Sequence, residues 1–175
     1  MENIFIEHYQ TNFNQLNFKI FLVNIKMIAP DFREAFPINL KDPAKKFIEA
    51  NHGTELWLAL EPAIIEIQQT RDELKNAGSY KCDIEQLKKF QDLFAKNYCN
   101  AMLLNKYFSF SSNSASSINV AFTWGDSFSK DRVTAFSPVL EALSSKYNYG
   151  VCLGRMACFM PLDGDGIKYA CRYMQ

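Results

Sequence analysis

Ser117–Phe128 reads S-I-N-V-A-F-T-W-G-D-S-F, and the fold turns on how this stretch is read. Ile118, Val120, Phe122 and Trp124 alternate with Asn119, Ala121 and Thr123. A period of two, rich in β-branched and aromatic residues, is the pattern of a half-buried strand. Burying the four large apolar groups contributes roughly 6–12 kcal/mol before conformational entropy is subtracted. Gly125-Asp126 then predicts a turn, since glycine tolerates positive φ and aspartate bonds the local backbone. Trp124 is accordingly expected in the core of a sheet and Asp126 in a turn, both structural.

The run Phe122-Thr123-Trp124-x-Asp126-x-Phe128 after an apolar strand resembles the BRO-1 domain family of ALIX-type ESCRT adaptors. Other blocks follow the family's order. Ile38–Ile48 is similar to its opening segment, V-D-L-x-x-P-L-x-x-F-I. Leu140–Ser144 falls where the family has a second strand. Tyr147–Leu153 looks like the start of its central helix, Y-E-K-A-x-x-L, and Gly166–Ala170 is similar to its G-L-K-x-A. The resemblance implies a mainly α fold: a helical solenoid of the tetratricopeptide kind with a small antiparallel β-hairpin. It marks Phe122, Thr123, Trp124, Asp126, Phe128 and Tyr147 as a structural motif. Residues 27–175 are read as a partial, truncated BRO-1-like domain and residues 1–26 as an unmatched N-terminal extension. For that leader two readings stand side by side, upstream sequence ahead of a natural start at Met27 or a genuine extension packed on the domain.

Composition bounds the function. The 175 residues allow one domain, and 48% hydrophobic with 14% aromatic residues supply a core. The 19 basic and 19 acidic residues balance, giving no electrostatic pull towards nucleic acid or anionic lipid. Five cysteines without a C-x-x-C pair read as reduced, buried thiols. Leu16–Ala29 is apolar but too short to span a bilayer and carries Lys19 and Lys26. The first ten residues are unlike the basic start of a signal peptide. A soluble cytoplasmic protein is expected.

Periodicity places the helices. Asp42-Pro43 reads as an N-cap and first helical residue, with Phe47 and Ile48 inward and Gly53 at the end. A second helix is predicted from about Thr54 to Ala77. Its Leu56–Leu60 is apolar nearly all round, which implies deep burial, and Pro62 is expected to kink or split it. Asp83 with Gln86 forms a capping box for a third helix. There Ile84, Leu87, Phe90, Phe94, Tyr98, Ala101 and Met102 make the apolar stripe, while Lys88, Lys89 and Lys96 lie off it. Ser109–Ser117 is a loop by composition. For Arg132–Leu143, propensity starts a helix at Ser137-Pro138, whereas the resemblance implies a hairpin partner for Ile118–Trp124. The hairpin is preferred, because a lone strand leaves its edges unpaired. The following helix is expected from about Tyr147, with Val151, Leu153 and Met156 near the core and Pro161 as its stop. Asp165 is expected to cap the last helix.

His8 and His52 share no spacing with a cysteine, and Cys152, Cys158 and Cys171 fit no zinc pattern. Asp163-Gly-Asp-Gly lacks the later oxygen ligands of a calcium loop. No glycine-rich phosphate loop is present, and neither histidine sits in a nucleophile's context. No catalytic residue, cofactor or metal is therefore assigned. What the resemblance implies is binding: an amphipathic helix of an ESCRT-III subunit in a groove of the solenoid, recruited to endosomal membranes through partners. Three departures from the family stand out. Gly154 costs about 1 kcal/mol in a helix, and Arg155 replaces an Asn and must find a partner. Pro161 closes the central helix early. The helices forming most of the groove would follow Gln175. The alternative expectation is a truncated product that lacks the groove and has no independent function.

Overall fold

The computed structural model of the chain describes residues 30–78, 82–161 and 163–174. The readings of residues 1–26 lie outside these. Among the described residues five α-helices and a two-stranded sheet follow in order. They are α1 (Lys41–His52), α2 (Thr54–Glu73) with a 3-10 turn Leu74–Gly78, and α3 (Ile84–Tyr107). Then come β1 (Phe122–Gly125), β2 (Arg132–Ala135), α4 (Pro138–Ala157) and α5 (Gly164–Met174). The mainly helical fold with a small antiparallel hairpin is the one expected.

The alternation in the opening stretch holds. Ile118, Val120, Phe122 and Trp124 are all buried, and Asn119 faces solvent. The ladder is shorter than the pattern, because β2 pairs only with Phe122–Gly125, in the register Trp124 opposite Val133. Ile118 makes an isolated bridge with Phe110 instead. The other edge of β1 is covered by the chain at Glu34–Phe36. Gly125 N–H donates to Glu34 O at 2.8 Å, and Phe36 N–H to Thr123 O at 3.2 Å. A Cβ on Gly125 would meet Glu34 Cβ at 3.3 Å, so glycine suits this close approach.

β1 joins two cores. Ile118, Val120 and Phe122 pack with Leu40, Ala44, Ile48, Trp57, Ile64 and Leu104. Trp124 packs with Phe32, Leu87, Phe94, Val151, Cys152 and Met156. The most extensive helix contact is between α3 and α4. They run antiparallel: Asn97 reaches Glu141 and Ser145, and Gln91 reaches Tyr149.

Several expectations are corrected. Leu140–Ser144 is not a strand. Ser137 accepts a bond from Val139 N–H, Pro138 takes the first helical position, and α4 runs from there through Tyr147. The hairpin partner is confined to Arg132–Ala135, so propensity and pairing are satisfied in adjacent segments. α1 begins at Lys41, and it is Asn39 Oδ1 that accepts from Asp42 N–H, not Asp42 that caps. Of Leu56–Leu60 only Trp57 is fully buried, and Leu58 is 62% exposed. α2 continues through Pro62, and its last turn tightens to 3-10 at Leu74–Gly78. Met102 faces solvent; Asn97 and Leu104 take the buried stripe of α3. Asp163, rather than Asp165, accepts from Gly166 N–H at 2.7 Å. Asp165 pairs with Lys168.

The capping box is present as read: Gln86 N–H to Asp83 Oδ1 at 2.8 Å and Asp83 N–H to Gln86 Oε1 at 3.2 Å. Asp83→Ala is expected to lower stability by about 1 kcal/mol. Urea unfolding should show a lower midpoint with an unchanged slope, and an unmoved midpoint would refute it.

Candidate functional site

Glu141, in the first turn of α4 and 2% exposed, draws three other elements onto one buried carboxylate. Its Oε1 lies 2.5 Å from Arg71 Nε of α2 and accepts from Asn97 Nδ2 of α3 at 2.7 Å. Its Oε2 accepts from the Trp124 indole N–H of β1 at 2.6 Å. Arg71, also 2% exposed, lies over the Trp124 ring at 4.9 Å and donates from Nη2 to Thr123 O at 3.4 Å. The Arg71 Nε–Glu141 approach is an ion contact without hydrogen-bond alignment, and Nη1 is buried without a partner. Four elements therefore meet on one carboxylate.

Burial raises the Glu141 pKa, against the pull of Arg71, Asn97 and Trp124, and burial lowers that of Arg71. The Asn97 and Trp124 donors and the Arg71 charge oppose that shift without reversing its direction. Such a pair adds little net stability over apolar replacements, but removing one partner strands a buried charge.

Glu141 belongs to a polar stripe on the buried face of α4: Glu141, Ser144, Ser145 and Asn148 at i, i+3, i+4 and i+7. Asn148 clamps the backbone of Arg33, accepting from its N–H at 2.8 Å and donating to its carbonyl at 2.9 Å. Read as a helix from Pro138, the sequence carries this stripe plainly; read as a strand at Leu140–Ser144, it hides it.

The motif residues fall as follows. Phe122 and Trp124 are 1% exposed, one in each core. Thr123 bonds Thr134 across the hairpin at 3.0 Å. Asp126 accepts from Phe128 N–H and Ser129 Oγ at 3.2 Å and closes the turn. Phe128 is 79% exposed at the hairpin tip. Tyr147, on α4, bonds Ser127 Oγ at 2.7 Å. Arg155, the departure that needed a partner, meets Asp31 at 3.2 Å and lies over Phe32 at 4.4 Å.

Apolar side chains also remain outside the cores. Val133, Phe136, Val139 and Leu143 form an exposed series from β2 into α4. Among the described residues no three metal-ligating side chains converge, and no helix is long and apolar enough to cross a membrane. Burial pushes the Cys152 thiol up to about 12, whereas Cys99 and Cys171 are exposed.

A scan against protein families matches the BRO1-like domain over residues 27–175. The chain belongs to the BRO1-like domain family. No curated protein matches. Among solved structures, the ALIX BRO1–CHMP4C complex aligns with TM-score 0.65 and 20% identity, over 82% of this chain and 41% of that one. ALIX in complex with the SIVmac239 PYKEVTEDL late domain aligns with the same score and identity, over 82% of this chain and 21% of that one. The chain thus spans less than half the length of these two structural neighbours, and the likeness establishes the fold.

Glu141→Ala is expected to cost about 3–5 kcal/mol, and Arg71→Met with Glu141→Leu to recover most of it. Chemical denaturation of the two variants checks this; a cost of Glu141→Ala under about 1 kcal/mol would contradict it. At about pH 8, near the free-thiol pKa, a thiol reagent should label Cys99 and Cys171 in the folded chain and Cys152 only after unfolding. Equal rates at all three would refute the burial.

Proposed function

We propose that the chain is a non-catalytic ESCRT adaptor module that acts by binding an ESCRT-III subunit. The family match over residues 27–175 carries this reading. Support comes from a solved neighbour, the ALIX BRO1 domain, which is described in complex with CHMP4C. The apolar side chains left outside the cores, Leu143 among them, add to it, since helix-in-groove recognition uses such surfaces. The chain works in the cytoplasm and reaches endosomal membranes through partners. Its buried polar groups hold the scaffold: Glu141 is spent on Arg71, Asn97 and Trp124. The same exposed side chains favour a second reading, in which the chain is part of a binding domain and does not bind alone.

Titration of the full chain into a fluorescent CHMP4C peptide, followed by anisotropy, separates the two. Saturable binding with a Kd on the order of 100 μM, about −5.5 kcal/mol, is the expected result. An unchanged anisotropy up to millimolar chain would overturn the adaptor reading for this chain.

A further inference from the structure

α2 and α3 leave a cleft between them where α2 ends. It has a volume of about 430 Å³ and is lined by Glu73 of α2 and by Lys89, Phe90, Asp92, Leu93 and Lys96 of α3. Phe90 and Leu93 are half-buried against the core that holds Phe32 and Trp124, and they supply the apolar wall. The charges around it are unevenly matched. Lys96 pairs with Glu66 at 2.8 Å and Lys89 with Glu85 at 3.2 Å. Glu73 and Asp92 take part in no ion pair among the described residues. All four charged groups of the lining are exposed, so nothing buried fixes the orientation of a small ligand. An apolar wall beside two unmatched carboxylates is complementary to an apolar segment that carries cations.

The chain itself contains such a segment. Residues 16–26, L-N-F-K-I-F-L-V-N-I-K, are apolar apart from two asparagines, Lys19 and Lys26, and include no acidic residue. They lie outside the described residues, which begin at Pro30. The junction is close to the cleft. Phe32 stacks on Phe94 at 5.9 Å, and Phe94 follows Phe90 by one turn of α3. One helical turn rises about 5.4 Å. Residues 27–31 span up to about 17 Å when extended. A tether this short holds the run near the cleft at an effective concentration that a separate partner must exceed. The run is too short to cross a bilayer, so its apolar side chains are covered only by protein.

We propose that residues 16–26 dock in the cleft between α2 and α3, their apolar side chains on Phe90 and Leu93 and Lys19 and Lys26 against Glu73 and Asp92. The leader is then an extension packed on the domain, the second of its two readings. The inference is independent of the adaptor reading, since the cleft includes none of Val133, Phe136, Val139 and Leu143.

Brief chymotrypsin digestion of the full chain, read by mass spectrometry, tests it through the bonds after Phe18 and Phe21. Glu73→Lys with Asp92→Lys, both at exposed positions, should speed these cleavages about fivefold or more. Adding Lys19→Glu and Lys26→Glu to that variant restores the pairing with the signs exchanged. It should bring the rate back to within about twofold of the unaltered chain. A merely structural role of Glu73 and Asp92 would not be rescued in this way. Equal cleavage in the unaltered chain and the Glu73 and Asp92 variant overturns the proposal, as does failure of the exchanged charges to slow it. Protection that falls on dilution would show a second copy holding the run. Protection lost with Leu143→Asp would place the run on the other apolar face. Either result overturns the cleft as its seat.

Discussion

Glu141 is approached by donors from three other elements at once, and the geometry of the chain follows from satisfying them together. Arg71 comes from α2, Asn97 from α3 and Trp124 from β1. A charge in that position is tolerable only when its partners are fixed, because the desolvation it suffers is offset only by well-placed donors. The apolar cores on either side are permissive about small shifts. The node is not: a slip of β1 by one residue would turn Trp124 away from the carboxylate and carry Phe122 and Val120 to the outer face. The seat of a two-stranded hairpin, too small to be stable alone, is thus set by a buried ion pair and one indole.

The hairpin was legible because its period of two is local. Ile118, Val120, Phe122 and Trp124 are buried as their alternation demands. The capping box at Asp83 and Gln86 was legible for the same reason, since both partners lie within four residues. What escaped was the segment after it. Leu140–Ser144 carries apolar residues that suit a strand by resemblance, while Ser137-Pro138 states a helix start outright. The local signal won: the Ser137 cap and Pro138 at the first helical position start the helix, and its buried face packs on α3. The three-residue spacing inside Glu141, Ser144, Ser145 and Asn148 then became the buried polar stripe.

Burial on α2 failed for a different reason. An apolar run such as Leu56–Leu60 reads as buried when its surroundings are unknown, but here only Trp57 is fully buried and Leu60 packs partly against the same core. Whether a side chain is covered depends on which elements lie beside it, and that is tertiary information. The same limit applies to the cleft beside α3. Glu73 comes from α2 and Phe90 and Leu93 from α3, and only the fold brings them to one place. Membership in the BRO1-like domain family is carried by residues 27–175.

Hydrogen exchange at the Trp124 indole N–H tests the central role of the Glu141 node most directly. The bond to Glu141 Oε2 in a fully buried setting predicts exchange only through global unfolding, with an opening free energy equal to that of the α3 core amides. Exchange at the rate of a free indole, with the α3 amides still protected, would show that the hairpin leaves its seat while the helices stay folded, and would contradict the account.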